Sequence, residues 1–273
     1  MTEANFNGQA VRVGVVGAAG RMGQHLCQLV DDAADMQLAA RVVEAGQSGG
    51  VPLAAVDANS VDILIDFSTP HATGAVAEWV TAHRVAWVLG TTGLGAAEQA
   101  AVTGAARAVA VFQASNFSVG VALLTELAAR AAAVLGLDAD IEIVETHHHH
   151  KRDAPSGTAL TLAKAVAQAR GQDLAQVRRD GRSGLGDERP RGEIGMHAVR
   201  LADIVGEHEV VLGWPAERLR LCHDARDRKV FAHGAVRAAR WLAGRRDQPG
   251  VYGMADLLGA TATSKLPTDA RAR

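Results

Sequence analysis

Short apolar runs recur through the first 115 or so residues, separated by longer stretches with a helical apolar stripe. VRVGVV (11–16), QLAARVVE (37–44), VDILIDF (61–67), VAWVLG (85–90) and AVAVFQ (108–113) are brief and rich in β-branched residues. Runs of this kind predict buried strands. Helical patterns are read between them at about 21–31, 71–83 and 95–107. Apolar strands alternating with helices predict a parallel sheet covered on both faces. Right-handed crossovers then make the expected class α/β, with a doubly wound dinucleotide-binding domain.

The pattern changes after about residue 117. An alanine-rich helix is predicted at 119–135, then a strand at IEIVE (141–145) and a helix opening near Ser156. RRDGRSGLGDERPRG (178–192) reads as a surface loop. Three strand-like runs follow at 193–201, 207–213 and 217–223, and their short separations predict an antiparallel meander. This second domain is therefore expected to be α+β. AHGAVRAARWLAG (232–244) is predicted helical, and the polar tail from about 259 is expected to be disordered.

Composition narrows the function classes. The chain has 273 residues, 48% of them hydrophobic and 21% charged, with a net charge of −2. That balance gives no electrostatic case for nucleic acid or an anionic membrane as the main partner. Two widely separated cysteines form neither a metal spacing nor a disulfide framework, which fits a cytoplasmic location. No signal-peptide layout opens the chain, and no apolar run is read as reaching the roughly 20 residues of a spanning helix.

GVVGAAGRMGQHL carries the first chemical signal. Gly17, Gly20 and Gly23 follow a strand and open a helix. Glycines so placed permit a tight turn, close approach of backbone to a pyrophosphate, and close helix–strand packing. Helix N-terminal amides then face the anion. Glu44 falls at the end of the second strand, where a carboxylate can accept from a ribose 2′-OH. Ala45 follows it, so no arginine stands there for a 2′-phosphate, and NADH is favoured; Arg21 keeps NADPH open. LGTTG (89–93) and QASNFSVG (113–120) sit at later strand ends, where small polar groups can meet a nicotinamide.

ETHHHHKRDAPSGTA (145–159) is the second signal. In an extended strand neighbouring side chains point to opposite faces, so four histidines in a row do not converge on a metal. No metal is expected. An interior purification tag is a poorer reading still, and a solvated polar loop is the plain alternative. Histidine exchanges protons near neutrality, Lys151 adds a cation, and a helix opening at Ser156–Gly157–Thr158 aims amides at an anion. Together these describe a carboxylate pocket with an acid–base group.

The chain resembles the dihydrodipicolinate reductase family. GAAGRMG (17–23), IDFSTP (65–70), GTTG (90–93), NFSVG (116–120) and E-x-HHHHK-x-DAPSGTA (145–159) carry the resemblance, and it continues in order to about residue 258. It implies an NAD(P)H-dependent reduction of 4-hydroxy-tetrahydrodipicolinate in lysine and diaminopimelate biosynthesis. It implies that Gly17, Ala18, Ala19, Gly20, Arg21 and Met22 cradle the dinucleotide and that Glu44 holds the adenosine ribose. Gly90, Thr91 and Thr92, with Ala114, Ser115, Asn116 and Phe117, would line the nicotinamide end. His147 would be the proton donor and Lys151 its cationic partner, with His148, Gly157 and Thr158 on the substrate. It also implies a homotetramer and a C-terminal return to the first domain. The domains would then be 1–117 with 229–273 for the dinucleotide, and 118–228 for substrate and tetramerisation. Family members often carry arginine where Ala45 stands, and the stretch between Glu44 and Val61 looks short. Another NAD-dependent amine or aldehyde dehydrogenase, or a non-catalytic NAD-sensing regulator, would explain the glycine turn but not the whole histidine–lysine block.

Overall fold

Val11–Val16 (β1) runs straight into the glycine turn and α1 (Arg21–Asp31), and this unit of strand, turn and helix sets the plan of the chain's first half. The computed structural model describes residues 9–259. In chain order there follow β2 (Met36–Val42), β3 (Ile63–Asp66), α2 (Thr73–His83), β4 (Ala86–Leu89), α3 (Ala96–Ala105) and β5 (Ala110–Gln113). Next are α4 (Val119–Leu135), β6 (Asp140–His147), α5 (Gly157–Ala169), α6 (Leu174–Val177), β7 (Arg178–Asp180), β8 (Ile194–Arg200), β9 (Gly206–Trp214) and β10 (Glu217–Ala225). The chain closes with α7 (Lys229–Ala243), β11 (Gly250–Tyr252) and α8 (Met254–Leu258). Two compact units result, one up to Phe117 and again from Ala232, the other Ser118–Phe231.

In the first unit the sheet order is β11-β5-β4-β3-β1-β2, parallel throughout. All four residues of β3 are buried because both faces of the sheet are covered. Ile63 and Ile65 face Leu26, Cys27 and Val30 of α1 and Ala235, Ala239 and Leu242 of α7. Leu64 and Trp87 face Val76 and Val80 of α2 and Val102 of α3. β2 stops at Val42, two residues short of the run read in the sequence. Val43 donates to Val51 and Val51 to Arg41, and Gln47 closes a turn on the Glu44 carbonyl, so Glu44 opens a turn rather than ending a strand. β11 and α8 were not legible in advance. A three-residue strand has no periodicity to read. The disordered tail expected from about 259 lies, from residue 260 on, outside the described residues.

The second unit holds a mixed sheet of order β10-β9-β6-β8-β7. It is not the expected meander. β8 pairs in parallel with β6, and β9 lies on the other side of β6, antiparallel to it. Residues 201–205 therefore cross over the end of β6, spanning two strand spacings of about 4.8 Å each. Five residues reach that far easily, which is why the short connection imitates a hairpin turn. The core joins Ile141 and Ile143 of β6, Leu162 and Val166 of α5, Leu124 and Ala128 of α4, and Leu212 of β9. Contrary to the sequence reading, residues Val119–Asp138, α4 and the turn after it, are long and apolar enough to cross a membrane by length and composition, with mean hydropathy 1.6. Glu126 and Arg130 stand in the middle of α4, whose Val121, Leu124, Ala128 and Ala132 are buried while Leu123, Leu127 and Val134 are exposed.

The glycine- and arginine-rich stretch is tied down rather than loose. Arg182 forks onto Glu142 at 2.9 and 3.1 Å, Arg189 adds a bond at 3.1 Å, and His197 another at 2.7 Å. A Cβ on Gly195 would fall 1.8 Å from Glu142 Oε2, so glycine makes the room. Burial acts to raise the Glu142 pKa, but the bonds from Arg182, His197 and Arg189 outweigh it and hold the carboxyl at about 2. A depressed carboxyl pKa contributes stability that is present above the unfolded value and lost as pH falls through the folded one. Stability should therefore decline between the ordinary glutamate range and about pH 2, and Glu142→Gln should flatten that decline. Urea midpoints against pH measure it; an unchanged slope in the variant would exclude Glu142 as its source.

Candidate functional sites

The turn after β1 is shaped by what its glycines leave out. Gly17 has φ of +79°, and a Cβ there would lie 2.8 Å from the Phe67 carbonyl oxygen. A Cβ on Gly23 would lie 2.1 Å from the Gly17 oxygen, so α1 packs directly on the turn. The Gly17 and Ala18 amides both donate to the Val42 carbonyl, at 3.0 and 3.1 Å, pinning the turn to the end of β2. Gly20 is the N-cap of α1 and makes no side-chain cap, and no acidic residue stands in the first turn. The amides of that turn thus present a positive helix end without a side-chain cap. Ala18 is buried, Ala19 and Met22 are half-buried, and Gly20, Arg21 and Glu44 are exposed. A turn packed backbone on backbone at a helix N-terminus fits a dinucleotide pyrophosphate.

The next strand ends are held by a buried carboxylate. Asp66, the last residue of β3, accepts from the Ser68 amide at 2.9 Å, the Ser68 hydroxyl at 2.6 Å and the Thr91 hydroxyl at 3.2 Å. Burial raises its pKa against those bonds, and the Trp87 indole faces it without closing a full hydrogen bond. Gly90 lies under the Phe67 ring, which a Cβ would meet at 2.3 Å. Phe67 in turn packs on Phe117, with centroids 5.3 Å apart. Thr92 and Ser115 are exposed, Ala114 and Asn116 half-buried, and Phe117 and Thr91 buried. Thr91 is thus engaged inside the protein.

In the second unit β6 alternates strictly, burying Ile141, Ile143, Glu145 and His147. His147 Nδ1 bonds Glu145 Oε2 at 2.5 Å. Arg200, opposite His147 on β8, forks onto both Glu145 oxygens at 2.9 Å. The Ser156 amide donates to Glu145 Oε1 at 2.9 Å, and the Ser156 hydroxyl caps α5 at the Ala159 amide and meets His208 Nε2 at 3.1 Å. His208, opposite Glu145 on β9, sets its ring edge-on to His147 with centroids 5.2 Å apart. Gly157 and Thr158 are the first residues of α5, and a Cβ on Gly157 would meet nothing within 4 Å. In an α-helix the first amides are not used by the helix's own hydrogen bonds.

The strand ends at His147, so the face-sharing expected from alternation does not extend along the histidines. His148 and His149 donate their amides to Ile204 and Ala202 of the crossing segment, and Lys151 turns back onto the His148 carbonyl. Lys151 Nζ pairs with Asp153 at 2.9 Å. Arg228 donates to His148 Nε2 at 3.2 Å. His149 and His150 are exposed, their rings tilted against each other with centroids 4.0 Å apart. Among the described residues no group of three or more histidine, cysteine or acidic side chains converges as for a metal. Burial lowers the His147 pKa; Glu145 opposes that, and Lys151 and Arg200 add to it. Burial, followed by His147, pushes His208 down to about 4. For Glu145 burial acts to raise the pKa, but bonds from Arg200, His147 and the Ser156 amide prevail and hold it low.

Glu145, Arg200 and His208 lie outside the expected site residues, as does Asp66 as a clamp, and Ser156 is expected only as the start of the helix. Glu145 had a signal, two residues before His147 and so on the same strand face. Arg200 had only its place in RLADIVGEHEV (200–210), where the family resemblance continues, since strand pairing alone brings it across.

A glycine cradle on a doubly wound sheet in one unit, and a buried histidine–carboxylate pair beside a helix N-terminus in the other, are the parts of a nicotinamide-dependent oxidoreductase. Residues 11–117 match the family model described as "Dihydrodipicolinate reductase, N-terminus" and residues 120–258 the one described as "Dihydrodipicolinate reductase, C-terminus". The chain belongs to the dihydrodipicolinate reductase family. It is 45% identical over 265 residues to the 4-hydroxy-tetrahydrodipicolinate reductase of Alkalilimnicola ehrlichii, covering 91% of this chain and 98% of that one. The enzyme of the same name from Halorhodospira halophila is 45% identical over 266 residues, covering 90% and 98%. Among solved structures, a dipicolinate-bound dihydrodipicolinate reductase from Paenisporosarcina sp. TG-14 superposes with a TM-score of 0.73 at 25% identity, covering 90% and 98%.

Proposed function

We propose that this chain reduces 4-hydroxy-tetrahydrodipicolinate to tetrahydrodipicolinate, in lysine and diaminopimelate biosynthesis, with His147 as proton donor. The observation that carries this is the imidazole held by Glu145 within reach of the first turn of α5. The substrate is a cyclic dicarboxylate that loses water to give a conjugated imine. When bound, NADH or NADPH supplies a hydride to ring carbon four. Protonated His147 gives a proton through Nε2 as negative charge spreads over the enamine. Lys151 stabilises that charge, and the Gly157 and Thr158 amides, with His148, hold a carboxylate. Donors oriented toward developing charge are the strongest catalytic contribution such a site can make.

Gly17 through Met22 would hold the pyrophosphate, and Gly90, Thr92 and Ala114–Phe117 the nicotinamide end, with Thr91 supporting through Asp66. Glu44 would accept from a ribose 2′-OH and repel a 2′-phosphate. With alanine next to it, NADH is the preferred donor. A cytoplasmic homotetramer is the form we expect, on family grounds alone. Dipicolinate bound to the Paenisporosarcina enzyme supports a flat dicarboxylate as ligand. Pyridine-2,6-dicarboxylate is expected to inhibit competitively against the substrate in steady-state assays. Inhibition that substrate does not relieve, or none, would contradict the assigned pocket.

A further inference from the structure

We infer that Glu145 is the positioning residue of this site: one carboxylate sets the tautomer and direction of His147 and anchors the helix start that receives the substrate carboxylate. The inference rests on the reading of His147 as proton donor.

The Glu145 side chain is 1% exposed. A buried carboxylate is tolerated only when its acceptor sites are filled. Each oxygen here accepts two bonds: Oε2 from His147 Nδ1 and Arg200, Oε1 from the Ser156 amide and Arg200. An ionised carboxylate accepts only. The Nδ1 of His147 must therefore carry a hydrogen, which leaves Nε2 as the nitrogen that gains and gives the working proton. A Cβ on Gly206 would come 3.0 Å from that Nε2, so glycine keeps its surroundings open. On the other oxygen, the Ser156 amide bond fixes the N-cap of α5, and the Ser156 hydroxyl is committed to Ala159 and His208. Glu145 thus connects the acid and the anion-binding helix, groups that must keep one spacing to serve one substrate.

The groups facing His147 are Glu145 on its own strand, Lys151 beyond it, Arg200 on β8 and His208 on β9. Lys151 and Arg200 disfavour the imidazolium and Glu145 favours it. His208, down at about 4, is neutral at physiological pH and adds no repulsion there. A proton donor works below its pKa and fails as pH rises through it. Without the Glu145 charge, the fall in turnover must begin at lower pH.

Glu145→Gln keeps the shape and an acceptor for Ser156. It is expected to lower kcat about 10–100-fold, to shift the alkaline fall of kcat to lower pH, and to raise the KM of the dicarboxylate. A purely structural role, neutralising Arg200, predicts that Glu145→Gln/Arg200→Gln recovers turnover and pH profile along with thermal stability. Positioning predicts that stability recovers, with part of the pH shift as the Arg200 charge is lost, while kcat does not. Wild-type turnover and pH profile in either variant would overturn the inference.

A measurement on the unmodified protein guards against misfolded variants: ¹⁵N-histidine NMR of the full chain, with His147→Gln identifying the resonance. Above its pKa the His147 ring should be the Nδ1–H tautomer, and a ring protonated at Nε2 would overturn the inference. Turnover retained in His147→Gln would remove the proton-donor reading itself. Turnover lost there but kept in Glu145→Gln would remove only the role given to Glu145.

Discussion

His147→Gln is expected to lower kcat about 10²–10⁴-fold, with KM for the dicarboxylate moving only a few-fold. The imidazole is buried at the end of β6, its Nδ1 is engaged by Glu145, and Arg200 and Ser156 fix that carboxylate in turn. Glutamine fills similar space but has no group that titrates near neutrality. The substrate carboxylate would still meet α5, so binding is largely kept and the loss falls on proton transfer. A drop in kcat/KM caused by KM alone would mean that His147 binds rather than donates.

Gly23→Ala should give the largest effect in the first unit. The added Cβ would stand 2.1 Å from the Gly17 oxygen and 2.7 Å from the Ala18 Cα, both backbone atoms that cannot rotate away. Helix α1 would have to back off the turn whose amides are assigned to the pyrophosphate. Overpacking of this kind costs about 1–3 kcal/mol, and NADH affinity should weaken about tenfold or more as the cradle opens. Gly74→Ala in α2 is the control, because a Cβ there meets nothing within 4 Å. Alanine suits a helix interior better than glycine. Fluorescence titration of NADH and thermal melts compare the two. Wild-type affinity and Tm in Gly23→Ala would contradict the role of the turn.

The parts legible in the sequence were those with local signals. Five of the six strands of the first sheet announce themselves as short apolar runs, and Gly17, Gly20 and Gly23 place the turn between β1 and α1. Ser156 marks the start of α5 because N-cap chemistry is local. Pairing across the second sheet was not legible. The 201–205 connection is short enough for a hairpin, yet it carries the chain over β6, and only that crossing brings Arg200 and His208 to opposite sides of Glu145. The histidine run shows the same division. Its first member continues the β6 alternation and is buried by it, while His149 and His150 fall in a turn that alternation cannot foresee. Glu44 was read as ending the second strand, but hydrogen bonds among Val43, Val51 and Arg41 stop that strand at Val42 and leave Glu44 opening a turn.

The most direct test of the account is the reaction itself. Purified full-length protein should consume NADH, followed by loss of its reduced-nicotinamide absorbance, when freshly generated 4-hydroxy-tetrahydrodipicolinate is added. The account predicts turnover with NADH that at least matches NADPH, and its loss in His147→Gln. No oxidation of either cofactor by the wild-type protein, with the cyclic dicarboxylate present, would contradict it.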